Sequence, residues 1–153
     1  MRRLGAALLA ALMPLAAGAQ APTTPSETVD AFHKAMRVGD GKAALAFMAR
    51  DVNIYEQGYV ETTREQYAAN QLADANRFAK LTERRVMRRE SGQDERSAWV
   101  LSTTLTTGEF EHRKIELEGT ETMLLRREGE AWVIAHIHWS AHPRSADDSG
   151  ASP

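Results

Sequence analysis

The stretch that decides the fold is "ETMLLRREGEAWVIAHIHWS", Glu121 to Ser140, near the C-terminal end of the chain. Both halves are rich in aromatic and aliphatic residues, and the pair Glu128-Gly129 separates them as a turn signal. The pattern predicts a β-hairpin whose strands run from Phe110 to Arg127 and from Glu130 to Ser140. Both faces of this hairpin are largely apolar, so we expect it to be covered on two sides.

A two-residue loop at Glu128-Gly129 fixes the strand pairing. It places Arg127 opposite Glu130, Glu121 opposite His136 and Gly119 opposite His138; a three-residue loop would shift this register by one. Because side chains alternate along a strand, the second strand should present two distinct faces. One face then holds Trp132, Ile134, His136, His138 and Ser140, and the other holds Val133, Ala135, Ile137, Trp139 and Ala141.

This register predicts an acid–base site on one wall of a pocket. A carboxylate beside an imidazole raises its basicity and fixes its tautomer, so Glu121 and His136 could move protons, with His138 nearby. These three residues are the candidate catalytic set. Two other interpretations stay open: His136 and His138 could be satisfied pocket-lining side chains, or they could bind zinc with Glu121 or His112 as a third ligand. We expect neither a metal nor an organic cofactor.

The rest of the chain predicts helices first and strands afterwards. Helical spacing connects Val29, Phe32, His33 and Met36, and Thr62 and Glu65 have capping-box spacing. Turn signals lie at 57–58 and 107–108. The predicted elements are helices from Ser26 to about Val38, Lys42 to Met48 and Thr62 to about Ala79, and strands at Asp51 to Glu56, Leu81 to Glu90 and Ser97 to Thr107.

The fold class that follows is α+β, with three N-terminal helices packed in a strongly curved antiparallel sheet, a conical α+β barrel. A cone of this kind has an open mouth and can hold a ligand. The candidate ligand-binding residues are Tyr55, Tyr59, Tyr67, Gln71 and Trp132.

Other polar residues receive structural interpretations. Glu56 is expected to be a solvated turn acid, and His33 a core or pocket-rim residue. Asp74 is expected to pair with Arg77 or Lys80. The run "ERRVMRRE", Glu83 to Glu90, is typical of a charged edge strand that blocks aggregation.

The N-terminus reads as a secretory leader. Arg2 and Arg3 precede an apolar run, and Ala17-Gly18-Ala19 is a small-residue cleavage site. We therefore expect a signal peptide at 1–19, a linker at 20–25, a folded domain at 26–141 and a disordered tail at 142–153, in a periplasmic or secreted protein. The apolar run is too short to span a bilayer, so no membrane association is expected after cleavage.

Composition excludes several functions. Of the 19 Lys and Arg residues, 17 remain once Arg2 and Arg3 leave with the leader, against 21 Asp and Glu, a formal charge of −4. A mildly acidic chain is a poor nucleic-acid binder. The sequence has no cysteine, which excludes disulfides, thiolate metal sites and a cysteine nucleophile.

Three segments together resemble the SnoaL-like branch of the nuclear transport factor 2-like superfamily. They are "VGDGKAALAFMARDV", "TREQYAANQLADANRF" and the C-terminal hairpin. The resemblance implies a conical α+β fold that dimerises through its convex sheet face, which would place Ile137 and Trp139 at the interface. The superfamily contains ketosteroid isomerases, polyketide cyclases, dehydratases and non-enzymatic modules, so the resemblance does not choose among these functions. Relatives often carry a histidine where this chain has Gln71, which argues against chemistry at that position.

The favoured function is an exported domain that binds a small, largely apolar molecule in its pocket, without strong catalysis. One alternative is a cofactor-free isomerase, dehydratase or hydrolase that uses Glu121, His136 and His138. The second alternative is a dimeric assembly module with a vestigial pocket.

Overall fold

The computed structural model of the chain describes residues 21–144. The predicted signal peptide and residues 145–153 of the predicted tail lie outside the described residues. Within residues 21–144, the helices are too short or too polar to cross a membrane. The elements are α1 (Pro25–Val38), α2 (Gly41–Ala46), β1 (Met48–Glu56), β2 (Tyr59–Glu61), α3 (Arg64–Asn70), α4 (Leu72–Leu81), β3 (Thr82–Gln93), β4 (Ser97–Phe110), β5 (Arg113–Glu128) and β6 (Ala131–Pro143).

Helix α1 begins at Pro25, one residue before the predicted start at Ser26, and Thr24 caps it. The Thr24 hydroxyl accepts a hydrogen bond from the Glu27 backbone N–H at 3.2 Å, and the Glu27 carboxylate accepts one from the Thr24 N–H at 3.0 Å. This reciprocal pair is a capping box. The helix ends at Gly39, whose φ of 77° is the left-handed conformation that glycine adopts without strain.

The predicted third helix is broken in two at Gln71. Asn70 and Gln71 donate side-chain amide hydrogen bonds to the Glu61 carboxylate, at 3.0 and 3.3 Å. Glu61 is buried, so its charge needs these donors. The sequence did not predict this break, because Glu61 belongs to β2, a short strand that was not predicted. Local periodicity also does not show which helix residues a strand residue contacts.

Six strands form an open sheet in the order β2-β1-β6-β5-β4-β3. All neighbours are antiparallel except β1 and β6. The α+β class is confirmed, and β3 lies at an edge of the sheet as the charged run predicted. The helices contact one face of the sheet, the inner face, and the described residues leave the opposite, outer face uncovered.

The turn between β4 and β5 is not at Thr107-Gly108, as predicted. β4 continues to Phe110, and the chain reverses at Glu111 and His112, whose φ angles are 51° and 62°. Gly108 lies inside the strand, at a position where a Cβ would meet the Leu81 carbonyl oxygen at 2.8 Å. The glycine therefore allows β4 to pass close to the end of α4 and does not form a turn.

The predicted register of the C-terminal hairpin is wrong. Glu128 pairs with Ala131, so the loop is Gly129-Glu130, and a bulge at Ala135 shifts the pairing again. Glu121 consequently pairs with Trp139, not with His136. β6 reaches Pro143, two residues beyond the predicted domain end at Ala141.

The bulge at Ala135 reverses the sidedness of the second half of β6. Trp132 and Ile134 face the helices before it, and Ile137 and Trp139 face the helices after it. Strict alternation would have left two of these four large side chains outside, so the bulge increases the apolar area buried on the inner face. Ile137 and Trp139 therefore lie in the interior and not at the outer-face interface that the resemblance implied.

Candidate functional site

A cavity of about 1130 Å³ lies between the helices and the inner face of the sheet. Its size suits a small organic molecule. Exposed charged side chains, among them Lys34, Arg37 and Glu83, line its rim. The larger apolar side chains that line it are Phe32, Met36, Phe78, Phe110, Leu117 and Trp139.

The cavity contains a buried carboxylate that accepts three hydrogen bonds. Glu121 is 3% exposed. Its Oε2 lies 2.7 Å from His33 Nε2 and accepts a bond from Trp139 Nε1 at 2.7 Å. Its Oε1 accepts a bond from Arg84 Nη2 at 3.0 Å. We call these four residues the Glu121 cluster.

The cluster keeps Glu121 ionised. Burial by itself would raise the pKa of Glu121, but His33, Arg84 and the Trp139 indole N–H together lower it to about 2. Burial also lowers the pKa of Arg84, and the adjacent Glu121 charge opposes that effect. Each charged group in the cluster therefore offsets the desolvation of the other.

The cluster joins one helix to three strands. His33 is on α1, Arg84 on β3, Glu121 on β5 and Trp139 on β6. The Ala135 bulge brings Trp139 beside Glu121 on the inner face. Phe32 stacks on Trp139, with ring centroids 6.2 Å apart, and this contact holds α1 against the strand.

Glu121 lines the cavity as predicted, but its histidine partner is His33. In the sequence, His33 lies on the apolar stripe of α1, and this position indicates that its side chain points toward the sheet. That stripe could not show which strand residue it would meet, because the two lie 88 positions apart.

Two of the five predicted ligand-binding residues, Tyr59 and Gln71, line the cavity. Tyr67 and Trp132 are buried in the core instead, and neither Tyr67 Oη nor Trp132 Nε1 has a hydrogen-bond partner within residues 21–144. The interior of the fold thus uses these two aromatics for packing. Tyr55 is 45% exposed and is not among the residues that line the cavity.

The two predicted catalytic histidines of β6 are on the outer face. His136 pairs with the exposed Leu124 and packs edge-on against Tyr55, with ring centroids 5.2 Å apart. His138 pairs with Thr122 and Tyr55. Neither histidine lines the cavity, so the structure does not bring the predicted catalytic set together. Within residues 21–144, no three His, Asp or Glu side chains form a group that could hold a metal ion.

Glu56 lines the cavity instead of being the solvated turn acid that we expected. It is half-buried, and burial raises the pKa of its carboxyl group. The sequence does indicate an inward-facing Glu56, because Val52, Ile54 and Glu56 lie on one face of β1 and the first two are buried. Asp74, by contrast, pairs with Arg77 at 3.3 Å as predicted, while it also lines the cavity.

Comparisons with known proteins agree with this architecture. A family model described as SnoaL-like domain matches residues 26–144. A solved candidate ketosteroid isomerase from Shewanella frigidimarina is 26% identical, over 74% of this chain and 91% of its own, with a TM-score of 0.71. A candidate calcium/calmodulin-dependent protein kinase II association domain from Xanthomonas campestris is 18% identical over 88% of this chain and all of its own, with a TM-score of 0.65.

A further solved structure, an NTF2-like protein with a cystatin-like fold from Novosphingobium aromaticivorans, is 13% identical over 79% of this chain and 81% of its own, with a TM-score of 0.63. At these low identities, the last two similarities establish the fold alone. Among curated proteins, none matches the sequence significantly.

Proposed function

Because the chain belongs to the SnoaL-like domain family, we propose that it is an exported protein that binds one small, largely apolar molecule in this cavity. The observation that carries the proposal is the Glu121 cluster, which satisfies the buried charge in the cavity without a ligand. A cavity whose most deeply buried charge is already paired is preformed at that point, and preformed sites bind at a lower entropic cost.

The cavity lining supports an apolar ligand. Phe32, Phe78, Phe110 and Leu117 supply apolar surface, and the Glu121 cluster supplies polar groups in fixed positions beside it. Small-molecule sites in proteins commonly combine a mostly apolar lining with a few polar groups of this kind.

Native mass spectrometry of the purified protein tests this proposal. The protein is incubated with a fractionated organic extract of its source cells, and the bound mass is recorded. We expect one small organic molecule per chain for the wild type and for Ala73→Trp, which alters an exposed position of α4 outside the cavity. A spectrum that shows only the bare chain, across all fractions, contradicts the proposal.

A second candidate function, acid–base catalysis, is favoured by the His33–Glu121 contact of 2.7 Å. An ionised carboxylate that accepts the Nε2–H of a histidine orients the ring and leaves Nδ1 as a proton acceptor. His33 lines the cavity, so this dyad replaces the Glu121, His136 and His138 set as the enzymatic hypothesis.

Assays of the purified protein with isomerase, dehydratase and hydrolase substrates distinguish a catalytic function from binding alone. If the protein is an enzyme, His33→Gln lowers kcat at least about 100-fold, the usual contribution of a general acid or base, while the outer-face control His138→Gln does not. Equal turnover in both variants would exclude His33 as the acid–base group, and no turnover in the wild type would leave binding as the function.

The outer face supports the proposed homodimer. Trp99, Leu101 and Leu124 are 39%, 39% and 45% exposed, and they lie side by side on β4 and β5. Adjacent apolar side chains that remain exposed in a single chain are typical of a protein interface. The export signal at 1–19 and a periplasmic or secreted location remain part of the same proposal, based on the sequence of the leader.

A further inference from the structure

Three cavity-lining residues form a row across neighbouring strands. Glu56 of β1 pairs with Tyr59 of β2 on one side and with Trp139 of β6 on the other. Directly paired residues project from the same face of a sheet. All three line the cavity, so an acidic side chain lies between two aromatic side chains on its wall.

Glu56 has no counter-charge of its own. Its carboxylate has no hydrogen-bond or ion-pair partner within residues 21–144, and burial is the cause of its raised pKa. Arg84 is committed to Glu121, and Lys34 and Arg37 are exposed on α1. Half-buried carboxylates are normally paired, so this one is suited to a cation that the protein itself does not supply.

The aromatic side chains are placed to complete a cation site. Trp139 is held by its bond to Glu121 and by its stack on Phe32, which fixes the orientation of the indole ring. Tyr59 is 71% exposed and stands on the strand at the other side of Glu56. Neighbouring strands are about 4.8 Å apart, so the two aromatic side chains arise from backbones about 10 Å apart, which leaves room for an alkylammonium group between them.

We propose that the Tyr59–Glu56–Trp139 row binds an organic ammonium group, so that the ligand of the proposed function is an amphipathic amine. The ammonium group is neutralised by Glu56 and contacts the faces of the two rings, as cations do in aromatic cages. The apolar body of the molecule extends along Phe78, Phe110 and Leu117. This inference rests on the proposed binding function and narrows the class of ligand.

The test compares a cation with its neutral isostere. Benzyltrimethylammonium and neopentylbenzene have the same shape and differ by one charge, and calorimetric or NMR titration measures the affinity of each. In Glu56→Gln, we expect the cation to bind about tenfold more weakly, and the isostere to bind within about twofold of the wild type. The matched control is Glu109→Gln, because Glu109 is an exposed acid that does not line the cavity, and it should leave both affinities unchanged.

The outcomes separate the inference from the function on which it rests. If the isostere binds and the cation does not, or if Glu56→Gln weakens both equally, the ammonium site is wrong while the binding function stands. If neither compound binds the wild type, both fail. Binding of the isostere to Glu56→Gln also shows that the variant is folded.

Tyr59 supplies a second, independent variant. Tyr59→Phe keeps the ring and should leave the affinity for benzyltrimethylammonium within about twofold, whereas Tyr59→Leu should lower it about fivefold. Because Tyr59 is largely exposed, neither change is expected to disturb the fold. Equal affinities in the two variants would contradict a role for the ring.

Discussion

His33 and Glu121 are 88 positions apart in the sequence, and His33 Nε2 lies 2.7 Å from Glu121 Oε2. This contact ties the first helix to the middle of the sheet at a point where the carboxylate is almost fully buried. Trp139 and Arg84 bind the same carboxylate, so the arrangement fixes the cavity from four directions. If the cavity binds a ligand as proposed, stability and ligand binding depend on the same residues.

Glu121→Gln should destabilise the protein by about 3 kcal/mol at neutral pH, since it removes a buried charge and leaves its partners unpaired. The pKa of Glu121 is held at about 2, below its ordinary 4.5. Its ionisation thus contributes stability that is complete above about pH 4.5 and is lost as the pH falls toward 2.

Urea unfolding of the wild type and the variant between pH 2 and 7 measures this effect. The difference in free energy of unfolding should shrink steadily below pH 4.5. Glu109→Gln, at an exposed position on β4, should show no such difference. A gap between wild type and Glu121→Gln that is independent of pH would contradict the assignment.

Two tryptophan replacements should behave differently. Trp139→Phe removes a donor to Glu121, so the pKa of Glu121 in the folded protein should rise, and the stability lost in acid should be smaller and fully lost at a higher pH. Trp132→Phe removes an indole N–H that has no partner within residues 21–144, so it should leave that pH dependence unchanged. Free energies of unfolding measured against pH distinguish the two variants. Identical profiles would show that the Trp139 hydrogen bond does not lower the pKa of Glu121.

Deleting Ala135 removes the bulge of β6. The deletion forces strict alternation, which would turn either Trp132 and Ile134 or Ile137 and Trp139 toward the outer face. We expect a loss of more than about 4 kcal/mol, or no folded protein, by circular dichroism and thermal unfolding. Ala135→Ser keeps the chain length and should cost less than about 1 kcal/mol. A deletion variant of near wild-type stability would contradict the role of the bulge.

The proposed dimer depends on the outer-face apolar residues. Leu124→Arg places a charge at the centre of that surface, and sedimentation velocity should report a monomer, against a dimer for the wild type. Val38→Arg makes the same change at an exposed apolar position at the end of α1, and this variant should remain dimeric. A monomeric wild type, or a dimeric Leu124→Arg, would exclude this interface.

The sequence predicted the α+β class, most of the elements and the place of Glu121 in the cavity, because these depend on periodicity and composition. It did not predict which histidine meets Glu121. A bulge of one residue at Ala135 changes the sidedness of everything after it, and alanine carries no local signal for a bulge. The helix break at Gln71 was also not predicted, because it depends on a contact with Glu61, which belongs to a different element.

Glu56 shows a different kind of error. The alternation of Val52, Ile54 and Glu56 along β1 predicts that Glu56 faces inward, but its position beside a turn favoured a solvated side chain. The structure gives β1 a partner on each side, so the end of the strand is enclosed and the residue lines the cavity. Burial of a position at a strand end depends on neighbouring strands, which a local pattern does not contain.

The central claim is that the cavity beside the Glu121 cluster is a preformed binding site, and titration with the neutral fluorescent probe Nile red tests it most directly. Ala75 lines the cavity on α4, and Ala75→Trp would obstruct it, whereas Ala73→Trp adds the same side chain at an exposed position outside it. We predict saturable binding of one probe per chain to the wild type and to Ala73→Trp, and at least tenfold weaker binding to Ala75→Trp. Equal binding to all three proteins, or no saturable binding to the wild type, would contradict the claim.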